Sequence, residues 1–100
     1  MLYATTSSEE EAVMIADCLL RKKLVACANI FNIRSLYRWR GEIHDDSEYA
    51  LIMKTSSSRV KKAIEEAAKL HSYKVPCVVS YAMEDGLPAY LRWIESETKK

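Results

Sequence analysis

One hundred residues, 49% apolar and 29% charged, with a formal net charge of +1, describe one ordinary globular domain over residues 1–100. So neutral a balance removes the electrostatic case for nucleic acid or an anionic membrane, and no apolar run approaches the roughly 20 residues of a membrane span. Three cysteines, Cys18, Cys27 and Cys77, form no C-x-x-C pair, which argues against a disulfide framework and a structural zinc site.

Leu2 to Thr6 reads as a first strand. It is entered directly from Met1 with no basic start or long apolar stretch, so no export signal is expected, which favours the cytoplasm or an unmarked domain cut from a longer precursor. Ser7/Glu10 and Ser8/Glu11 are two overlapping capping boxes. They open a helix that runs to about Lys23, with Ala12, Ala16, Leu19 and Leu20 near one face and Arg21-Lys22-Lys23 at the end where cations are favoured.

Leu24 to Thr55 is the longest feature of the chain. Period-two alternation puts Ile33, Ser35, Tyr37 and Trp39 on one face and Arg34, Leu36, Arg38 and Arg40 on the other. Gly41 interrupts the run, and Glu42 to Met53 returns as a second extended segment, the pattern of a hairpin. Arms this long exceed the usual five or six residues of a strand, and a projecting two-stranded ribbon is marginal alone in water. A second copy of the chain is the expected cover. Across the ribbon, Arg34, Arg38 and Arg40 against Asp45, Asp46 and Glu48 read as cross-strand charge pairs. The register stays open, because a slip of one residue changes every pairing.

Thr55 to Ser58 is a polar junction before a second helix, about Ser58 to His71, with Val60, Ala63, Ile64, Ala67 and Leu70 as its apolar stripe. His71 to Pro76 is a connector, since Val75 before proline is pushed away from helix. Cys77 to Met83 reads as a fourth strand, Glu84 to Pro88 as a turn, and Pro88 as the start of a closing helix with Tyr90, Leu91, Trp93 and Ile94. Glu95 to Lys100 is a polar tail expected to fray.

The order β-α-β-β-α-β with an added C-terminal helix predicts an α+β, ferredoxin-like sandwich: a four-stranded antiparallel sheet with two helices on one face. The uncovered face carries apolar residues from every strand, a second reason to expect a partner.

The segments Lys22 to Ile30, Ile33 to Gly41, Lys54-Thr55, His71 to Pro76 and Tyr90 to Ile94 resemble the CutA family of divalent-cation-tolerance proteins, in order and over nearly the whole chain. The resemblance implies a tight homotrimer, similar in architecture to the PII signalling proteins, in which the long hairpin reaches onto neighbouring subunits. It also implies a link to copper tolerance and copper binding, with no established reaction. One copper set of the family, a Cys after the first strand and a His pair at the connector, falls here on Thr5, Leu70 and His71. Only His71 matches. Ser72 and Cys77 stand where the family commonly has proline and glutamate.

His71 and Cys77, six residues apart around the connector, are the candidate metal ligands. Imidazole and thiolate together favour copper or zinc over magnesium or calcium. The competing reading makes His71 a cap of the second helix and Cys77 core. His44 beside Asp45 and Asp46 reads as an exposed polar hairpin end. Cys27, Asn29, Tyr37, Trp39, Lys54 and Tyr73 are the family-type polar and aromatic set, candidates to line a cleft between subunits or simply to pack an interface.

Two functions follow. One is a trimeric divalent-cation-tolerance protein that binds metal ions, copper first, without catalysis. The other is a signalling or structural scaffold that takes a small anion or a partner protein in its inter-subunit clefts. No hydrolase motif, glycine-rich anion loop or RNA-recognition strand is present, so no enzyme is expected.

Overall fold

The computed structural model describes residues 1–99. The elements are β1 (Leu2–Thr6), α1 (Glu9–Arg21), β2 (Cys27–Trp39), β3 (Glu42–Lys54), a short 3-10 turn (Ser57–Arg59) running into α2 (Val60–Leu70), β4 (Val78–Ser80) and α3 (Pro88–Glu97). The four strands form one antiparallel sheet in the order β2-β3-β1-β4. The mixed α+β fold read from the sequence is the one observed.

Local chemistry explains both ends of α1. The Ser8 hydroxyl accepts the Glu11 amide at 3.2 Å, the first half of a capping box, while Ser7 instead donates to the Glu11 carboxylate. At the other end Lys23 adopts φ 58, Lys23 N–H bonds to Leu20 O at 3.0 Å and Leu24 N–H to Leu19 O at 2.9 Å. This is a Schellman closure, with a lysine in the left-handed position usually given to glycine. Leu24 is thereby turned into the core beside Leu19.

The core lies between one sheet face and α1 and α2. Leu2, Ala4, Leu51 and Met53 from the sheet meet Ala12, Ile15, Ala16 and Leu19 of α1 and Ala63 and Ala67 of α2. Ile15, not Leu20, completes the α1 stripe; Leu20 is exposed, because 3.6-residue spacing turns it off that face.

β1 pairs with β3 only from Thr6–Tyr49 to Leu2–Met53, whereas β2 and β3 pair along their full length. The ribbon from Ile33–Glu48 to Trp39–Glu42 therefore has no third strand. At about 3.4 Å per residue it extends about 20 Å beyond the sheet. The turn places Arg40 at φ 51 and Gly41 at φ 80, the two positive angles that a two-residue hairpin needs to match strand twist. The long axis is 44 Å, and the radius of gyration is 14.1 Å against about 13 Å for a compact chain of this length. On the ribbon Leu36 and Ile43 are 65% and 72% exposed.

Three expectations need correction. Of the arginines on the ribbon, only Arg34 has an acidic partner among the described residues, a fork onto Asp45 with N···O distances of 2.9 and 2.7 Å. Arg38 stands opposite Ile43, Arg40 occupies the turn over the Trp39 ring, and alternation sends Asp46 and Glu48 to the other face. The fourth strand is also shorter than Cys77 to Met83. Only Val78–Ser80 is strand, on an edge where β1 offers just Leu2 to Ala4 as partners. The tail is more ordered than its polarity suggests: α3 runs through Glu97, and Thr98 is buried with its hydroxyl 2.9 Å from that of Ser56. Lys100, expected to fray with it, lies outside the described residues.

Candidate functional site

The sheet face away from α1 and α2 carries Tyr3 and Thr5 of β1, the odd-numbered residues of β2, and Glu42, His44, Asp46 and Glu48 of β3, because side chains alternate and the register pairs Ile33 with Glu48 and Tyr37 with His44. A cavity of about 830 Å³ opens on this face. Tyr3, Thr5 and Glu48 line its floor, Ile33, Tyr37 and Trp39 its ribbon side, and Tyr73, Lys74, Val75 and Cys77 the wall formed by the connector.

His71 fixes that wall. Its side chain is fully buried. The Thr5 carbonyl can only accept, so the Nε2–H donates to it across 2.7 Å; the Tyr73 amide can only donate, so Nδ1 accepts it across 3.1 Å. The ring is thus held in one tautomer between β1 and the connector. Two further bonds add to the staple, Ser72 N–H to the Glu11 carboxylate at 2.7 Å and Thr5 N–H to Cys77 O at 3.4 Å. Burial alone pushes the Glu11 carboxyl up, but the Ser72 bonds overcome it and hold the group below its ordinary range.

Carboxylates and phenols dominate the electrostatics. Glu48 is 8% exposed, and one of its oxygens accepts the Tyr73 hydroxyl at 3.1 Å. The Tyr37 hydroxyl donates to Asp46 at 2.5 Å, and its ring stacks on His44 at 5.3 Å between centroids. The bond to Asp46 is the main reason that the Tyr37 pKa is pushed up to about 12. Burial raises Tyr73 and then Glu48 raises it further; Tyr3 rises through burial, with Cys77 and Glu48 adding to it. All three phenols feel the field of Glu48.

The predicted metal pair does not assemble into a site within one chain. Cys77 is exposed and lines the cavity, but His71 has no lone pair to give. Nε2 carries a proton and the Nδ1 pair is engaged by Tyr73. Among the described residues no three His, Cys, Asp or Glu side chains are placed to hold an ion. The residues of one chain therefore do not fit a copper ion. The reading of His71 as a helix-end residue fits better, since it is the C-cap of α2, whereas Cys77 is not core.

The family-type set divides in two. Tyr37, Trp39 and Tyr73 line the cavity. Cys27, Asn29 and Lys54 gather at the opposite end of the ribbon, where Cys27 stands opposite Lys54, Lys54 donates to Asn29, and the Cys27 sulfur lies 3.6 Å from the Tyr90 hydroxyl of α3. The bond to Cys27 raises the Tyr90 pKa. Sequence reasoning missed Tyr3 and Glu48 as site residues. Alternation within β3 held the signal for Glu48, but only a known register shows that it shares a face with Tyr37.

Residues 1–97 match the family described as CutA1 divalent ion tolerance protein. A divalent-cation tolerance protein CutA of Thermotoga maritima is 43% identical over 94% of this chain and 93% of its own length. The structure of the periplasmic divalent cation tolerance protein CutA from Archaeoglobus fulgidus is 42% identical and superimposes with a TM-score of 0.95 over 98% of this chain and 96% of its own. A PII-like protein CutA from Nostoc, in apo form, is 27% identical with a TM-score of 0.91, covering 98% of this chain and 95% of its own.

Proposed function

The chain belongs to the CutA1 divalent ion tolerance protein family, and from that premise we propose that it is a homotrimeric, non-catalytic binding protein that takes a small ligand or a partner protein at the groove beside the connector. The observation that carries this reading is the ribbon. It holds Leu36 and Ile43 in water and forms one side of a cavity whose other side is stapled to β1. Exposed apolar side chains on a two-stranded arm are stabilised by a neighbour, and a neighbour here makes the groove a cleft between copies. Three copies are proposed on the likeness to PII-like relatives. The three free thiols suit a reducing compartment, so the proposed location is the cytoplasm.

Sedimentation at micromolar concentration tests the assembly. The expected species has three times the 11.5 kDa mass of the chain; a well-folded single chain ends the proposal. A thermal-shift screen of metabolites and inorganic ions tests the groove, since a ligand that binds only the folded state raises the melting temperature.

A copper-type ion is the second reading, kept because Cys77 presents a free thiol to the cavity. It requires further ligands from a neighbouring copy. Cu(I) titration under reducing conditions decides it: stoichiometric binding lost in Cys77→Ser supports the reading, and no binding at micromolar copper removes it.

A further inference from the structure

We infer that the groove recognises an organic cation, a primary ammonium on an apolar stem, with Glu48 as the anchoring counter-ion. This deepens the reading of the groove as a ligand site and rests on it.

Glu48 is the centre of the argument. It is more than nine-tenths buried, it lines the cavity, and no lysine, arginine or histidine lies within ion-pair distance of it among the described residues. Its one hydrogen-bonded partner from a side chain is the Tyr73 hydroxyl, which supplies a donor but no charge. A carboxylate taken this far out of water is costly unless a cation compensates it. The register provides the reason it is there: β1 ends opposite Tyr49, so Glu48 is the first β3 residue past the third strand and faces the cavity instead of a neighbouring backbone.

The surroundings choose the kind of cation. Tyr3, Tyr37, Trp39 and Tyr73 present four aromatic rings to the same space, and ring faces attract ammonium groups and the methylenes attached to them. Burial is the larger cause of the raised pKa at Tyr3 and Tyr73, and the bond to Asp46 at Tyr37, with Glu48 adding to each. A divalent metal ion is the poorer occupant, because it needs several oxygen or nitrogen ligands and the chain assembles no such group among its described residues. An anion is disfavoured by Glu48 itself. Arg34 and Lys74 also line the cavity, but the Arg34 guanidinium is taken by Asp45 and neither cation is within ion-pair distance of Glu48, so the carboxylate is left to be matched by one cation from a ligand. The cavity, about 830 Å³, lies within the usual range of small-molecule sites.

Hexylammonium is the probe, with hexanol and inorganic phosphate as comparisons, measured by calorimetry on the assembled protein and by the shift in melting temperature. Hexylammonium should bind and raise the melting temperature while hexanol does not. Glu48→Gln should weaken it roughly tenfold or more, as loss of a charge-assisted bond does. Trp39→Leu, which leaves the carboxylate in place, should weaken it less, and this second variant keeps the test valid should Glu48→Gln misfold. Equal binding of hexanol, or full binding by Glu48→Gln, overturns the inference. So does an amine that binds only dissociated chains, since a neighbouring copy then neutralises Glu48. Phosphate raising the melting temperature without any effect of hexylammonium keeps the groove as a ligand site and overturns the cationic class. No response to any of the three probes overturns the inference and leaves the groove reading to the wider ligand screen and to a partner protein.

Discussion

The two halves of the β2–β3 ribbon have the same backbone pattern and opposite environments. From Cys27 to Asn32 and Tyr49 to Lys54 the ribbon has β1 along one edge, and Leu51 and Met53 lie wholly buried under α1 and α2. From Ile33 to Glu48 it has no third strand and no helix, and its apolar side chains stand in water. The first half is part of the fold; the second has no neighbour within the chain. Strand propensity is equally satisfied in both, so propensity does not separate them. What separates them is the length of β1, which ends at Thr6, and that boundary also leaves Glu48 facing a cavity.

The largest effect should come from the buried half. Leu51→Ala removes a side chain with no exposed area and should cost about 2–5 kcal/mol in urea unfolding. A cost near that of a surface change would mean that the base of the ribbon is not core. Ile43→Lys on the outer half should do the reverse, leaving circular dichroism of the chain native while sedimentation shows single chains in place of trimers. If it unfolds the chain instead, the outer half belongs to the fold after all.

The halves should also differ in their response to pH. In the folded base, Glu66 of α2 is held below its ordinary value by the hydrogen bond from Lys22 at 2.9 Å, with Lys69 and Lys62 nearby. A lowered carboxylate pKa contributes stability that is present above its unfolded value near 4.5 and is lost as pH falls through the folded value. Glu66→Gln should therefore flatten the acid limb of the stability profile. On the outer half the sign is opposite. Tyr37, raised from 10.0 to about 12, favours the neutral phenol, so its contribution holds below 10 and is lost as pH rises through about 12. Tyr3, Tyr73 and Tyr90 are raised as well, so in an ultraviolet titration the component near 12 should be the one absent in Tyr37→Phe and moved earlier in Asp46→Asn. The smallest effect should come from Arg34→Ala. Its fork onto Asp45 is well aligned but in solvent, and exposed pairs contribute little; an unmoved urea midpoint is expected.

Much of the molecule was legible because it depends on neighbours in the chain. Ser8 before an acidic triplet, Gly41 between two alternating runs, Pro88 opening a helix and the order of the elements are local signals, and each led to the element observed. The candidate site was legible in part. Tyr37, Trp39, Tyr73 and Cys77 do meet at one cavity. His71 was singled out for its imidazole, yet its two bonds make it the staple that holds the cavity wall. Cys27, Asn29 and Lys54 were grouped with them by resemblance and stand at the far end of the same ribbon.

Caps, turns and alternation follow from the sequence itself, since a capping hydroxyl reaches three residues and a strand alternates every two. Register, the extent of β1 and β4, and the burial of Glu48 and His71 came only with the tertiary structure. They depend on partners from 25 to 66 residues away, and a shift of one pairing would exchange every side chain between core and groove. The chain encodes which residues lie on the same side of each strand. Packing against α1 and α2 decides which side is buried and which is left open.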